Sequence, residues 1–117
     1  MSLPLFVYGT LRRGQVSHEL MAGAPYLGPA RTPPIFELIE MDWYPAMLAE
    51  GRTTVVGELY AVEGPLLAQL DDYEECPAVY QRLEIELFGG ARAQAYVLRP
   101  EHGIDRPRIP SGDWCRR

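Results

Sequence analysis

The sequence predicts a small α+β fold: a curled, mostly antiparallel β-barrel with one main helix and one short flanking helix. Three observations support this fold class. The chain has 117 residues, which suits a single domain spanning 1–117. Short runs rich in β-branched and aromatic residues recur between Gly and Pro residues, as strands do. Only one segment spaces its apolar residues like a sustained helix, so a small sheet must bury its faces by curling or beneath that helix.

The first part of the chain predicts three strands and a short helix. The apolar run at 3–8 is too short and too β-rich for a helix, so we expect a buried strand there. Ser17 is suited to cap one or two helical turns over 17–21. Strands are expected at 26–31 and 35–41, and the two prolines between them cannot donate to a β-ladder. Those prolines therefore belong at an edge or a crossing.

The middle of the chain predicts the clearest strand and the main helix. β-Branched residues dominate 53–62, and Gly57 inside this run indicates a bulge or a close backbone contact. The helix is expected to begin near Pro65, which the first helical turn tolerates, and to end around 74–77, where a proline occurs. Its apolar face comprises Leu66, Leu67, Leu70 and Tyr73.

A hairpin and an irregular tail complete the predicted fold. Alternation of apolar and polar residues over 79–88 predicts a half-buried strand, with the apolar face at its odd-numbered positions. A Gly-Gly turn joins this strand to a partner at 91–98. From about residue 100 to Arg117, the prolines and glycines predict an irregular tail that lies over the sheet or is partly mobile.

Composition excludes several classes of function. The net charge of −5 and the pI near 5.0 argue against nucleic-acid binding. No apolar run approaches the ~18 residues that span a bilayer, and 1–10 lacks the features of a signal peptide. We therefore expect a cytoplasmic protein without a membrane partner. Cys76 and Cys115 are expected to be free thiols, and neither they nor His18 and His102 are spaced like metal ligands, so no metal or cofactor is expected.

The strongest candidate site is the turn Tyr8-Gly9-Thr10-Leu11, where an apolar strand runs into a polar, basic loop. Gly9 accepts backbone angles that other residues resist and lets another group approach the main chain closely, and successive N–H groups in such a turn can bind an anion. The Gly-Lys-Ser/Thr ending of a phosphate-binding P-loop is absent, so that kind of site is not predicted. The alternative is a strand end that simply needs a glycine.

The second candidate is the acidic cluster at 71–75, near the end of the predicted helix. Glu74 lies four positions after Leu70, so it shares the inward apolar face, whereas Asp72 points away. Burial would raise the pKa of Glu74 and suit it to accept and return a proton near neutral pH. The alternative is an ordinary solvated face of charged residues.

Nearby aromatic and basic residues extend the candidate site. Tyr80 and Arg82 share one face of their strand, either as members of cross-strand pairs or as a phenol and a guanidinium that orient Glu74 or the substrate. Three further aromatic residues either line a pocket or belong to the core or a lid: Trp43, Tyr44 and Trp114.

These segments together resemble the gamma-glutamylcyclotransferase-like superfamily, in its small bacterial AIG2-like branch. The resemblance covers nearly the whole chain, and its order and spacing are specific for the fold. It rests on Phe6-Val7-Tyr8-Gly9-Thr10-Leu11, Tyr44-Pro45-Ala46, Val56-Gly57-Glu58-Leu59-Tyr60, Leu70-Asp71-Asp72-Tyr73-Glu74, Tyr80-Gln81-Arg82, Ala95-Tyr96 and Ser111-Gly112-Asp113-Trp114.

The resemblance implies an enzyme that cyclises a small γ-glutamyl amine or amino acid to 5-oxoproline and releases the free amine. It implies that Glu74 is the catalytic acid–base group, and this chain has Glu75 where small members often have glycine. Two alternatives stay open: a non-catalytic module that binds a small carboxylate, and an interaction domain whose acidic helix end meets a basic partner. The expected substrate-binding residues are Tyr8, Gly9, Thr10, Leu11, Tyr44, Tyr80 and Arg82.

Overall fold

Seven strands form two sheets in the computed structural model, which describes residues 2–117. One α-helix, α1 (Gly64–Tyr73), connects the fifth and sixth strands, and short 3-10 helices occur at His18–Met21, Pro100–His102 and Trp114–Arg116. The strands are β1 (Ser2–Val7), β2 (Tyr26–Arg31), β3 (Phe36–Glu40), β4 (Pro45–Thr53), β5 (Val56–Glu63), β6 (Tyr80–Glu86) and β7 (Arg92–Leu98). The predicted α+β class, the main helix and the short helix after Ser17 are therefore confirmed.

The larger sheet has the order β2-β5-β1-β7-β6, and β3 and β4 form a separate antiparallel pair. Three of its four pairings are antiparallel, as expected, whereas β1 and β7 run parallel. This arrangement places β1 at the centre of the sheet, with the hairpin β6–β7 on one side and β5 on the other. The turn after β1 therefore emerges from the middle of the fold.

The predicted closed barrel is not confirmed. Within residues 2–117, β2 and β6 are the two edges of the larger sheet, and no β-ladder joins them. Just beyond the end of β6, the N–H of Phe88 donates to the carbonyl oxygen of Arg31 in β2 at 2.8 Å. The Arg31 guanidinium also lies 4.3 Å from the centroid of the Phe88 ring. The sheet curls until its edges meet at this point but remains open along the rest of their length.

Both faces of the sheet are buried. Successive residues of a strand point to opposite sides, so one strand contributes to the apolar clusters on both faces. In β1, Leu5 and Val7 belong to one apolar cluster, and Phe6 belongs to a second cluster together with Tyr8. Leu67 and Leu70 of α1 complete the first cluster. The second cluster is completed by residues of β3, β4 and the tail: Phe36, Leu38, Met47, Ile109 and Trp114.

Gly57 provides the close backbone contact that the sequence predicts. An added Cβ atom at this position would overlap the carbonyl oxygen of Val7 and the ring of Phe6. Because both neighbours belong to the central strand, neither can move without disturbing the sheet. Gly57 therefore allows β5 to pack closely against β1, directly before the turn that forms the candidate site.

β6 departs from the predicted half-buried pattern. Ile85 is buried on the expected face, but Leu83 on the same face is 38% exposed and Tyr80 is buried on the opposite face. This departure follows from the position of β6 in the sheet. β6 is an edge strand paired only with β7, and its first residue packs into the cluster that contains α1.

The tail lies over the sheet, as one of the two predicted arrangements has it. Its residue Arg108 forms an isolated antiparallel bridge with Ile39 of β3. Three backbone hydrogen bonds of 2.8 Å anchor it: Glu40 N–H to Pro107, Ile109 N–H to Leu38, and Val56 N–H to Gly112. None of the helices within residues 2–117 has the length and apolar character needed to cross a membrane.

Candidate active site

A cavity of about 340 Å³ opens where the turn after β1, the start of β4, the end of α1 and the start of β6 converge. This volume suits a small metabolite. The cavity brings together all but one of the predicted site residues. Those that line it are Tyr8, Gly9, Thr10, Leu11, Tyr44, Glu74 and Tyr80.

The turn after β1 presents a row of unpaired backbone donors, which we call the amide cradle: the N–H groups of Gly9, Thr10 and Leu11. Within residues 2–117, none of these three N–H groups takes part in a hydrogen bond. Their carbonyl oxygens, in contrast, are all engaged, by the N–H groups of Arg12 and Ser17 (3.0 Å each) and by Nδ1 of His18 (2.8 Å). The turn is therefore held by its acceptors, and its donors remain available to an anion in the cavity.

The sequence offers two reasons for a glycine at position 9: unusual backbone angles and the close approach of another group. The backbone of Gly9 does not adopt the left-handed conformation, so conformational freedom is not the requirement. An added Cβ atom would lie 2.6 Å from Cγ and 2.9 Å from Cδ of Pro45. The absent side chain thus lets the Pro45 ring pack directly onto the cradle. The expected close approach of another group to Gly9 is therefore confirmed.

Glu74 lines the cavity from the end of α1. It caps the C-terminal end of α1, and its carboxyl group makes no hydrogen bond or ion pair within residues 2–117. Burial raises the pKa of Glu74 from 4.5 to about 7. The inward position inferred from helical spacing is confirmed, and the raised pKa suits the carboxyl group to exchange a proton near neutral pH.

Glu75 ends the helix in an arrangement that usually contains glycine. Its φ of 53° is in the left-handed region. The N–H of Glu75 donates to the carbonyl of Asp72 (3.1 Å), and the N–H of Cys76 donates to that of Asp71 (2.9 Å). This pair of bonds is a Schellman motif with Glu75 at its left-handed position. The side chain is exposed and lines the mouth of the cavity, and it is not a cause of the raised pKa of Glu74.

The phenols that line the cavity act as neutral groups. Burial raises the pKa of Tyr8 and of Tyr80 above the ordinary value, and the charge of Glu74 adds to both shifts. The Tyr8 hydroxyl donates to the carbonyl of Tyr96 (2.7 Å) and accepts from the N–H of Met47 (3.1 Å), which fixes its position. Because these hydroxyls keep their protons, Glu74 is the cavity group suited to act as a base.

Arg82 is the predicted site residue that the structure does not bring to the cavity. Its Nε donates to Asp71 at 2.9 Å, and its Nη1 donates to Gln94 at 3.0 Å. Asp71 also accepts from the hydroxyl of Tyr96 at 2.7 Å, and Tyr96 lines the cavity. Arg82 therefore contacts the site only through Asp71. Trp114 is not a lining residue either, because the tail places it in the second core cluster.

Glu58 is a site-related residue that the sequence reasoning missed. Its Oε1 accepts from the N–H of Arg13 (3.0 Å) and from the Tyr60 hydroxyl (2.9 Å). Its Oε2 lies 3.6 Å from Nε of Arg12, whose Nη1 donates to Asp113 of the tail at 2.8 Å. These contacts hold the chain directly after the cradle. The available signal was alternation in β5, which places Glu58 on the buried face with Tyr60.

Residues 2–117 contain no group of three or more His, Cys, Asp or Glu side chains arranged to hold a metal ion. The cavity instead combines an unpaired acid whose pKa is near neutral with a row of backbone donors. An acid with a near-neutral pKa is suited to proton transfer, and unpaired backbone donors are suited to bind an anion.

Comparison with known proteins identifies the family. The family model described as gamma-glutamyl cyclotransferase, AIG2-like, matches residues 5–116, and the chain belongs to this family. It is 41% identical over 113 residues to a Vibrio cholerae protein provisionally named gamma-glutamylcyclotransferase, covering 97% of this chain and 96% of that protein. It is 39% identical over 121 residues to human gamma-glutamylaminecyclotransferase, covering 95% and 74%.

The fold is similar to that of a solved AIG2-like protein from mouse. The TM-score is 0.80 with 30% sequence identity, and the match covers 96% of this chain and 88% of the mouse chain. The architecture of two sheets and one main helix is therefore that of the family, which supports an enzyme of the gamma-glutamylcyclotransferase class.

Proposed function

We propose that the protein is a γ-glutamyl cyclotransferase, which converts a γ-glutamyl amine or amino acid into 5-oxoproline and the free amine. The observation that carries this proposal is the sharing of one cavity by Glu74, unpaired and with a pKa of about 7, and the amide cradle. A module that only bound a carboxylate would gain nothing from an unpaired acid buried beside it.

The proposed reaction is internal to the substrate. The α-amino nitrogen attacks the γ-carbonyl carbon, so one C–N bond forms and closes a five-membered ring. The original amide C–N bond then breaks, and the amine leaves. Glu74 takes the proton that the attacking nitrogen loses and delivers a proton to the departing nitrogen, so no water is consumed and no charge is left over.

Binding geometry supplies the other part of the proposed catalysis. The glutamyl chain must be folded so that its two reacting atoms meet, and well-oriented intramolecular reactions gain about 7–11 kcal/mol over bimolecular ones. The unpaired N–H groups of Gly9, Thr10 and Leu11 are suited to hold the substrate carboxylate or the oxyanion that develops on the carbonyl. Tyr8 and Tyr80 complete the walls as neutral phenols.

The test is a panel of γ-glutamyl amines and γ-glutamyl amino acids incubated with the protein and scored by mass spectrometry. We expect 5-oxoproline and free amine in equal amounts from at least one compound. Free glutamate in place of 5-oxoproline would show hydrolysis and contradict the proposed ring closure. Binding without turnover of any compound would favour the carboxylate-binding alternative.

A further inference from the structure

One side-chain hydrogen bond joins the segment behind the amide cradle to the helix end that carries Glu74. The hydroxyl oxygens of Ser17 and Tyr73 lie 2.9 Å apart. Ser17 follows the cradle along the chain, and Tyr73 directly precedes Glu74. We propose that this bond, which we call the strut, sets the position of Glu74 relative to the cradle. Ser17 and Tyr73 are then positioning residues for the reaction, a role that rests on the proposed function.

The side chain of Ser17 is not used as the sequence predicts. Ser17 precedes the 3-10 helix His18–Met21, but its hydroxyl makes no capping hydrogen bond to that helix. Ser17 is buried, and within residues 2–117 its hydroxyl is paired with that of Tyr73. A buried hydroxyl is costly to leave without a partner. The strut therefore satisfies a group that the short helix does not need.

Tyr73 also departs from its expected place. The sequence assigns it to the apolar face of α1, yet it is 40% exposed and belongs to neither apolar cluster. Its ring lines the cavity. Because apolar burial does not hold this ring, the hydrogen bond to Ser17 is the contact that restrains it.

On the cradle side, the strut is attached through the main chain. The N–H of Ser17 donates to the carbonyl oxygen of Thr10 at 3.0 Å. The next residue, His18, contacts the carbonyl oxygen of Leu11 through Nδ1 at 2.8 Å. Ser17 thus connects a cradle residue with its main chain and the end of α1 with its side chain.

On the acid side, a second set of contacts holds the last turn of α1. Asp71 accepts from the Tyr96 hydroxyl at 2.7 Å and from Nε of Arg82 at 2.9 Å. Positions 71 and 73 are about 200° apart around a helix axis, so the two sets of contacts hold the turn from different directions. Loss of the strut would leave the Asp71 contacts in place and let the helix end pivot about them. Glu74 would then move relative to the cradle.

Deleting either hydroxyl tests the strut. A displacement of about 1 Å can cost about 10²-fold in rate, so we expect Ser17→Ala and Tyr73→Phe each to lower kcat about tenfold. The main-chain bonds of the cradle remain in both variants, so the Kd of a γ-glutamyl amide, titrated in the Glu74→Gln background, should change less than about threefold. Urea titrations show whether each variant is folded.

The double variant separates a shared bond from two separate roles. Both substitutions remove the same bond, so Ser17→Ala combined with Tyr73→Phe should be no slower than either alone. Tyr26→Phe is the matched control, because the Tyr26 hydroxyl makes no hydrogen bond within residues 2–117 and does not line the cavity. Its kcat should equal that of the unaltered protein.

Three results would overturn the strut alone while the unaltered protein still releases 5-oxoproline. They are an unchanged kcat in both single variants, losses that multiply in the double variant, and a loss in Tyr73→Phe without one in Ser17→Ala. The last result would mean that the Tyr73 hydroxyl acts on the substrate directly. No 5-oxoproline from the unaltered protein with any compound of the panel would instead overturn the proposed function, and the role of the strut with it.

Discussion

Two glutamates that are withdrawn from solvent have opposite surroundings. Glu58 in β5 accepts hydrogen bonds from Arg13 and Tyr60 and lies beside the Arg12 guanidinium. Glu74, at the end of α1, has no hydrogen-bonding or ionic partner for its carboxyl group within residues 2–117. A buried acid with its acceptors filled stabilises the fold, whereas one left unpaired destabilises the fold and remains free for chemistry. The comparison separates an acid that holds the site from one that is proposed to act in it.

The largest expected effect is on turnover. Glu74→Gln keeps the shape of the side chain but cannot accept a proton, so we expect the rate of 5-oxoproline release to fall by about 10²–10⁴-fold. Binding of a γ-glutamyl amide should change only a few-fold. Asp72→Asn is the matched control, because Asp72 is exposed two residues away and does not line the cavity. Normal turnover by Glu74→Gln, with the control also active, would remove Glu74 from the mechanism.

The same substitution should stabilise the protein at high pH. Burial raises the pKa of Glu74 to about 7 in the folded state, so the folded protein holds this proton more tightly than the unfolded chain does. That contribution is fully present below pH 4.5 and is lost as the pH rises through about 7. At pH 8, Glu74→Gln should therefore raise the free energy of unfolding by up to about 3 kcal/mol. At pH 4 the two proteins should be equally stable in urea titrations, and a loss of stability at pH 8 would contradict this account.

Glu58→Gln should have the opposite effect on the free energy of unfolding. The amide keeps one acceptor but loses the charge that faces Arg12 and strengthens the bonds from Arg13 and Tyr60. We expect the free energy of unfolding at pH 8 to fall by about 2 kcal/mol. KM for the γ-glutamyl amide should rise more than kcat falls, because the loop after the cradle loosens. Glu84→Gln, in an exposed pair with Arg92, should cost less than about 1 kcal/mol.

Gly9→Val tests the cradle that Glu58 supports. The Cβ atom of valine would lie 2.6 Å from Cγ of Pro45, so the turn or the proline must shift. Overpacking of this kind costs about 1–3 kcal/mol, and we expect the affinity for a γ-glutamyl amide to fall at least tenfold. Titration in the Glu74→Gln background measures binding without consumption of the substrate. Gly64→Val is the control, because an added Cβ there meets nothing within 4 Å; unchanged affinity in Gly9→Val would place the ligand elsewhere.

The two acids also show which parts of the site can be predicted from sequence. The inward direction of Glu74 can be predicted from local geometry, because the residue lies four positions after Leu70 on the helix. The cradle is similarly local, because a strand ends at a glycine turn. The role of Glu58 depends on residues 45 and 55 positions away along the chain, Arg13 and Asp113, the latter through Arg12. No local pattern predicts which distant group an acid will meet.

For Arg82, the sequence predicts the face of the strand but not the acid with which the side chain pairs. Strand alternation correctly places it on the face of Tyr80, yet it pairs with Asp71 rather than with Glu74. Both acids belong to one helix end, and the register of β6 against β7 decides which of them the guanidinium reaches. The open sheet has a similar cause. Closure requires a ladder between β2 and β6, and the strands themselves carry no sign that only Arg31 and Phe88 will meet.

The smallest expected effect concerns the residue that follows Glu74. Glu75 occupies the left-handed position of the Schellman motif with a φ of 53°, where a side chain costs about 1 kcal/mol relative to glycine. Glu75→Gly should therefore raise the free energy of unfolding by up to that amount, while Glu75→Ala, which keeps the Cβ atom, should not. If both variants stabilise the protein equally, the cost comes from the negative charge at the helix end rather than from the backbone. Either result would show that Glu75, like Glu74 beside it, lowers the free energy of unfolding. Glu58, in contrast, raises it.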